Sequence, residues 1–211
     1  TSLYSRLLMC VKKRAKIYDE CGKFYFDKTV KRINLYLGGT NDRQITINGE
    51  NVPPVWSLLD KIDRRDFIDG VPTVIHGDCI LDNVIETEDG FTLIDWRQDF
   101  AGSIKTGDMY YDLAKLNHNL IFNHDMVGKN YYFLNDNSGS IECDIFVRKN
   151  LLDCQEVLHQ FIESKNLSLE KVKTLTAIIW INMAPLHEYP LNRFLFNFGK
   201  YNLYRQVGTK K

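Results

Sequence analysis

Asp78, Asn83 and Asp95 are the residues whose types and spacing could do chemistry together. Asp78 closes the tripeptide His76-Gly77-Asp78, and Asn83 follows after four residues. Between Asn83 and Asp95 lie two short apolar runs, Val84-Ile85 and Phe91 to Ile94, around Glu88-Asp89-Gly90. Asp-Gly supplies positive-φ positions, so the stretch predicts a β-hairpin. Closing that hairpin returns Asp95 to the end where Asn83 sits. Carboxylate and amide oxygens gathered at a strand end suit Mg²⁺. A carboxylate left free beside them can orient a hydroxyl nucleophile or take its proton. The alternative is an acidic hairpin with capped ends and no ligand.

Neighbouring residues add weaker signals. Asp95 follows an apolar run, where an ionised carboxylate is costly without a metal or hydrogen-bond donors. His76 reads as structural support rather than as a metal ligand. Asp108 stands at a helix start and reads as an N-cap, with Asp112 one turn further on. Arg97 is a candidate for binding a substrate phosphate or carboxylate, against an ion pair with Asp99 or another acid. Cys79 is either a reactive thiol or small apolar filler. His118 and His124 lack metal-ligand spacing. Motifs for serine hydrolases, redox dithiols, zinc proteases and P-loop nucleotide sites are absent.

The elements that must position these residues are mostly helical. Leu3 to about Glu20 has helical periodicity, with Lys12, Lys13, Arg14 and Lys16 on the opposite face and Gly22 as its expected end. A second helix is expected from about Phe24 to Leu37, stopped by Gly38-Gly39, with its aromatic residues in the core. Ile45-Thr46-Ile47 before Asn48-Gly49 reads as a short strand or ordered loop. Pro53-Pro54 opens a helix running to Ile62, and Asp60 to Asp66 reads as charged surface. Thr73-Val74-Ile75 is expected as a short buried strand feeding the His76 loop. Arg97 to Ser103 should border the site. Helices follow over about 108–122, 145–163, 169–183 and 191–207, the third capped by Asn166 or Ser168. A hairpin near 129–144 either lines a substrate pocket or is ornament. The fold class is α+β, mainly α, in one domain over 1–211: a helical lead-in (1–70), a catalytic core (71–114) and a helical remainder with the hairpin insert (115–211).

The spacing from His76 through Asp78 and Asn83 to Asp95 resembles the catalytic loop and metal-binding turn of aminoglycoside phosphotransferases and choline kinases. These are small-molecule kinases with the protein-kinase fold. Gly107-Asp108-Met109-Tyr110-Tyr111-Asp112-Leu113-Ala114 is similar to the family's Gly-Asp-x-x-Tyr-Asp-Leu-Ala segment. The resemblance implies a protein-kinase-like C-terminal lobe with ATP as phosphoryl donor. It implies Asp78 as base, and Asn83 and Asp95 as ligands of Mg²⁺ that bridges the nucleotide phosphates. His76, Asp108 and Asp112 become structural support around the loop. The implied acceptor is a small-molecule hydroxyl on a sugar, an amino alcohol or an aminoglycoside-like compound, with a sugar preferred.

Two departures qualify the resemblance. No N-terminal sheet lobe, with its phosphate-covering loop and strand Lys, is recognisable before His76. Residues 1–70 read instead like the helices between that lobe and the catalytic loop. A start at Thr1 rather than Met suggests either a piece of a longer protein or a chain that has lost a tag or its initiator; the lobe is then truncated or naturally reduced. In Ile-Asp-Trp-Arg-Gln-Asp-Phe, Arg97 also stands where many members carry an acid. That form is similar to kinase-like domains fused to sugar-nucleotide or capsule-biosynthesis enzymes in bacteria. The second functional reading is therefore a catalytically inactive binding or scaffold module of a larger protein.

Composition narrows the field. The 27 basic and 27 acidic residues cancel, leaving no electrostatic footprint for nucleic acid or an anionic membrane. No apolar run reaches membrane-spanning length, and the basic N-terminal helix does not read as a signal peptide. The five scattered cysteines suggest reduced thiols in a cytoplasmic protein.

Overall fold

The computed structural model describes residues 15–104, 106–137 and 139–208. The expected helix over 3–20 lies in part outside them, but residues 15–22 are helical. They run through a π-turn at Lys23–Asp27 into α1, Lys28–Leu37. Gly22 does not end a helix: its φ and ψ of −56° and −50° keep it helical. Ile17, Cys21, Phe24 and Tyr25 are buried on both sides of it, and that burial outweighs a propensity cost of about 1 kcal/mol. Gly38, at φ 57°, closes α1 as expected.

Two short strands follow, β1 (Ile45–Ile47) and β2 (Glu50–Val52), joined at Asn48-Gly49. Both turn residues have positive φ, as a tight hairpin of this kind requires. The helix expected after Pro53-Pro54 is shorter, α2 at Val55–Leu59. Part of the charged stretch forms α3, Arg64–Ile68, capped by Asp63. β3 is only Pro72–Thr73 and pairs with β6, Gly107–Asp108. Val74 is 74% exposed, so this segment is not the buried strand its apolar residues suggested. Between them β4 (Val84–Thr87) and β5 (Gly90–Leu93) form the expected hairpin, in register Val84↔Leu93.

The second half is a helical stack on a small sheet. α4 is Met109–Ile121 and α5 is His124–Gly128. The hairpin insert is β7 (Tyr132–Asn137) and β8 (Ser140–Ile145). It is built into the fold, because β8 pairs in parallel with β1 to give the order β2-β1-β8-β7. The Asn48 side chain adds a rung, donating to Cys143 O (2.9 Å) and accepting from Cys143 N (2.8 Å). α6 (Lys149–Ser164), α7 (Leu169–Met183, capped by Ser168) and α8 (Leu191–Leu203) complete the chain, with a final π-turn at Tyr204–Gly208.

α7 is buried almost all round from Lys171 to Ile181 and forms the spine of the core. α8 packs closely on it because Gly199 has no side chain. A Cβ there would lie 2.8 Å from Ile181 Cγ1 and 2.9 Å from Ala177 O. One hydrophobic cluster extends from Ile17 to Val207. The fold is α+β and mainly helical. Among the described residues no helix is long and apolar enough to cross a membrane.

Candidate active site

One face of α4 holds the loop over 76–83. Asp112, Lys115 and Asn119 lie at i, i+3 and i+7, so they share that face. Asp112 accepts from His76 N and Gly77 N, each at 2.7 Å. Lys115 Nζ lies 2.6 Å from Asp78 Oδ1. Asn119 Oδ1 accepts from Leu81 N (2.9 Å), and its amide donates to Asp82 Oδ2 at 3.3 Å. The loop is thus held at its start, middle and end by one rigid element.

The loop backbone needs Gly77. Its φ is +80°, and a Cβ there would lie 2.5 Å from Arg97 Cβ. Arg97 N donates to His76 O (2.9 Å) and Arg97 Nε to Gly77 O (3.1 Å). Arg97 is therefore tied to the loop. Asp99 instead accepts from Gly102 N.

His76 is buried, and its ring packs on Trp96 at 4.9 Å between centroids. Its Nε2 faces Ile94 O at 2.7 Å, and Nδ1 accepts from Asp78 N at 3.3 Å. Both ring nitrogens are engaged by the chain itself, a pattern that fits the Nε2–H tautomer. Asp108, also fully buried, caps α4 and accepts from Tyr25 Oη (2.7 Å) and Val71 N (2.8 Å). It joins the lead-in helix to the chain entering the loop, whereas Asp112 grips the loop directly.

Asn83 ends a short 3₁₀ turn and is buried. Its Nδ2 donates to Asp78 O (2.9 Å), and its own carbonyl accepts from Ile94 N (3.0 Å). No hydrogen bond within the described residues reaches its Oδ1. Asp95 follows Ile94 in the left-handed region, at φ 56°. It is exposed, so the desolvation cost expected for its carboxylate is not incurred. The backbone bond from Ile94 to Asn83 brings Asn83 and Asp95, the residues expected to ligate a cation, to the same end of the hairpin. Among the described residues no group of three or more His, Cys, Asp or Glu is placed to bind a metal. A sparse set of this kind fits Mg²⁺, which keeps waters and takes its remaining ligands from substrate phosphates.

Asp78 opens onto a cavity of about 300 Å³. Phe24, Lys28 and Arg32 of the lead-in helix form one wall, Arg97 and Lys115 a second, and α7 residues such as Ile178 the floor. Burial pushes the Asp78 carboxyl up, but Lys115 and Arg97 outweigh it and hold the group below its ordinary value. Lys28 is pushed down to about 8, by burial and then by Arg97, Arg32 and Lys115. Burial drives His118 down to about 3, so it is neutral beside Lys115. Cys79 is pushed up to about 11 by burial and by Asp112 and Asp78, which makes it a poor thiolate.

The sequence reading did not single out Lys28, Arg32 or Lys115. Phe24, Lys28 and Arg32 at successive i+4 positions, and Lys115 three after Asp112, were the available signals. A family model described as the phosphotransferase enzyme family matches residues 6–126, more than half of the chain. That span covers the lead-in helix, the loop, the hairpin and α4, and it bears out the resemblance read from the motifs. No curated protein and no solved structure matches the chain.

Proposed function

Because the chain belongs to the phosphotransferase enzyme family, we propose that it transfers the γ-phosphoryl group of ATP to a small-molecule hydroxyl bound beside Asp78. The observation that carries this reading is the coupling of Asp78 to the hairpin mouth. Asn83 donates to Asp78 O at 2.9 Å, and its Oδ1 takes no hydrogen bond among the described residues. In this reading the Asn83 side chain would link the acceptor site to the metal site.

In the proposed reaction the acceptor oxygen bonds to the γ-phosphorus as the bond to the ADP oxygen breaks. The hydroxyl proton passes to Asp78. Bound Mg²⁺ supplies charge neutralisation on the nucleotide phosphates. Asn83 and Asp95 would hold it. With Lys115 keeping Asp78 ionised, the carboxylate chiefly orients the hydroxyl, and full proton transfer comes late. That division suits a loose transition state, in which positioning and electrostatics supply most of the acceleration. Five scattered cysteines without paired spacing are the support for placing this chemistry in the cytoplasm.

Titration calorimetry with Mg²⁺ and ATP, on this chain and on Asp95→Ala, tests the metal assignment. Mg²⁺-dependent binding should vanish in the variant, and unchanged binding would remove Asp95 from the site. ATP-dependent phosphorylation of an acceptor should fall about 10²–10⁴-fold in Asp78→Asn. Wild-type turnover there would sink the mechanism.

A second reading has its own support. Among the described residues before His76, the strands ahead of β3 are β1 and β2, and both belong to the sheet with β8. Neither carries a glycine-rich phosphate loop. The chain would then be a kinase-like binding or scaffold module of a larger polypeptide. Ligand binding in the cavity with no turnover at any Mg²⁺ or ATP concentration would favour it.

A further inference from the structure

The cavity beside Asp78 carries more positive charge than its chemistry needs. Lys28, Arg32, Arg97 and Lys115 line it, against Asp78 as the carboxylate among its lining residues. Lys115 is committed to Asp78 at 2.6 Å. Within the described residues no carboxylate forms an ion pair with Lys28, Arg32 or Arg97. Lys28 and Arg97 are also held together. Lys28 Nζ lies 4.1 Å from the Phe24 ring centroid and 5.9 Å from that of Tyr111. The Arg97 guanidinium carbon lies 5.5 Å and 5.8 Å from the same two rings. Both rings are fixed, since Phe24 stacks on buried Phe100 at 4.3 Å and meets Tyr111 edge-on. Like charges gathered on rigid aromatic walls repel one another until an anion joins them; the Lys28 ammonium is depressed first by burial and then by this repulsion.

We infer that the acceptor is itself an anion: a hydroxyl compound bearing a phosphate monoester or carboxylate, with its hydroxyl at Asp78 and its anionic group among Lys28, Arg32 and Arg97. This inference rests on the phosphotransferase reading and narrows its substrate class. A cationic amino alcohol or aminoglycoside would meet three uncompensated cations and a single carboxylate already paired. At about 300 Å³ the cavity also lies at the small end of ligand pockets, roughly 300–1,000 Å³, and suits one small carbon skeleton. The apolar floor at Ile178, Ile179 and Met183 can cover the carbon atoms between hydroxyl and anion.

Calorimetry on the nucleotide-free chain tests this with matched probes: glycerol 3-phosphate and glycerate against glycerol, glucose 6-phosphate against glucose, and ethanolamine as the cation. At least one anion should bind tenfold or more tightly than its neutral parent. Lys28→Gln and Arg32→Gln should each weaken that anion tenfold or more, with unchanged circular dichroism. Mg²⁺ with a non-hydrolysable ATP analogue should leave the anion bound. The inference is overturned if no anion outbinds its parent, if the variants bind it normally, or if the analogue displaces it, since the cations would then serve nucleotide phosphates. Turnover separates the two readings. Phosphorylation of ethanolamine or glucose in preference to every anion sinks the anionic acceptor and leaves a phosphotransferase. An anion held by Lys28 and Arg32 but never phosphorylated keeps the anion site and sinks the transfer reading.

Discussion

Lys115 Nζ stands 2.6 Å from Asp78 Oδ1, with the Lys115 side chain 12% exposed and that of Asp78 31% exposed. The pair decides the state of Asp78. Burial alone would raise the carboxyl, and Lys115 reverses that, with help from Arg97. The candidate base is therefore a carboxylate well below neutral pH. Its role is to fix a hydroxyl in line rather than to wait as a strong base.

Removing the cation should move the pH dependence. Because the Asp78 value in the folded protein is depressed, its ionised form is lost only as pH falls through that low value. In Lys115→Met burial is opposed only by the weaker pull of Arg97 and then His118, so the acidic limb of kcat/KM should shift to higher pH. The variant should lose more activity at pH 5 than at pH 8. A pH–rate profile with its acidic limb unmoved would show that Lys115 does not set the state of Asp78.

Asp112 should matter more to the loop than to the fold as a whole. It is the acceptor for two consecutive backbone donors, His76 N and Gly77 N. Asp112→Ala leaves both without it, and each orphaned donor costs about 1–3 kcal/mol where water cannot reach it. The expected loss is about 2 kcal/mol in urea unfolding, because the loop partly relaxes toward solvent. Turnover should fall further than stability explains, as the Asp78 carboxylate loses its fixed position. Asp112→Asn keeps one acceptor oxygen and should fall between the two. Equal turnover in all three proteins would separate Asp112 from the site.

Gly77 tests whether the loop and Arg97 act as a unit. Gly77→Ala forces a side chain into a left-handed position and against Arg97 Cβ, 2.5 Å away. Together these should cost about 1–3 kcal/mol. The strain should be relieved by moving Arg97 out of the cavity wall. Ligand affinity in the cavity should therefore drop while Mg²⁺-dependent nucleotide binding at Asn83 and Asp95 survives. Loss of both to the same extent would mean that the whole loop has collapsed.

The site's skeleton was legible because it is local. His76 to Asp95 is one loop and one hairpin, and Asp-Gly at the turn fixes which residues meet at its mouth. The Asp108 cap and the Leu169–Met183 helix were legible for the same reason. What escaped reading was decided at long range. Gly22 passes through a helix because the buried residues on either side of it pack into one core, which no local propensity reveals. The insert near 129–144 became structural through a parallel pairing with residues about a hundred positions earlier. Lys28 and Arg32 lie on a helix whose sequence carries no site signal of its own, and only the folded chain brings them into the cavity with Asp78.

Asp108 is the point where this long-range order can be tested most directly. Fully buried, it accepts from Tyr25 Oη at 2.7 Å, Val71 N at 2.8 Å and Tyr110 N at 3.2 Å, and Cys21 Sγ lies 3.6 Å away. Those donors come from the lead-in helix, the approach to β3 and the first turn of α4. Asp108→Ala strands all of them in the core, and removing one member of a buried charged network costs about 3–5 kcal/mol. Tyr25→Phe removes only the hydroxyl and should cost about 1.5–3 kcal/mol, the range for a hydrogen bond to a charged group. The double variant should cost less than the sum, because the Tyr25 bond is already gone once Asp108 is removed. Urea unfolding of the four proteins measures this cycle. Strict additivity, or a loss below about 1 kcal/mol in Asp108→Ala, would show that the lead-in helix is held to β3 and α4 by the apolar packing of Phe24 and Phe100 and not by this carboxylate.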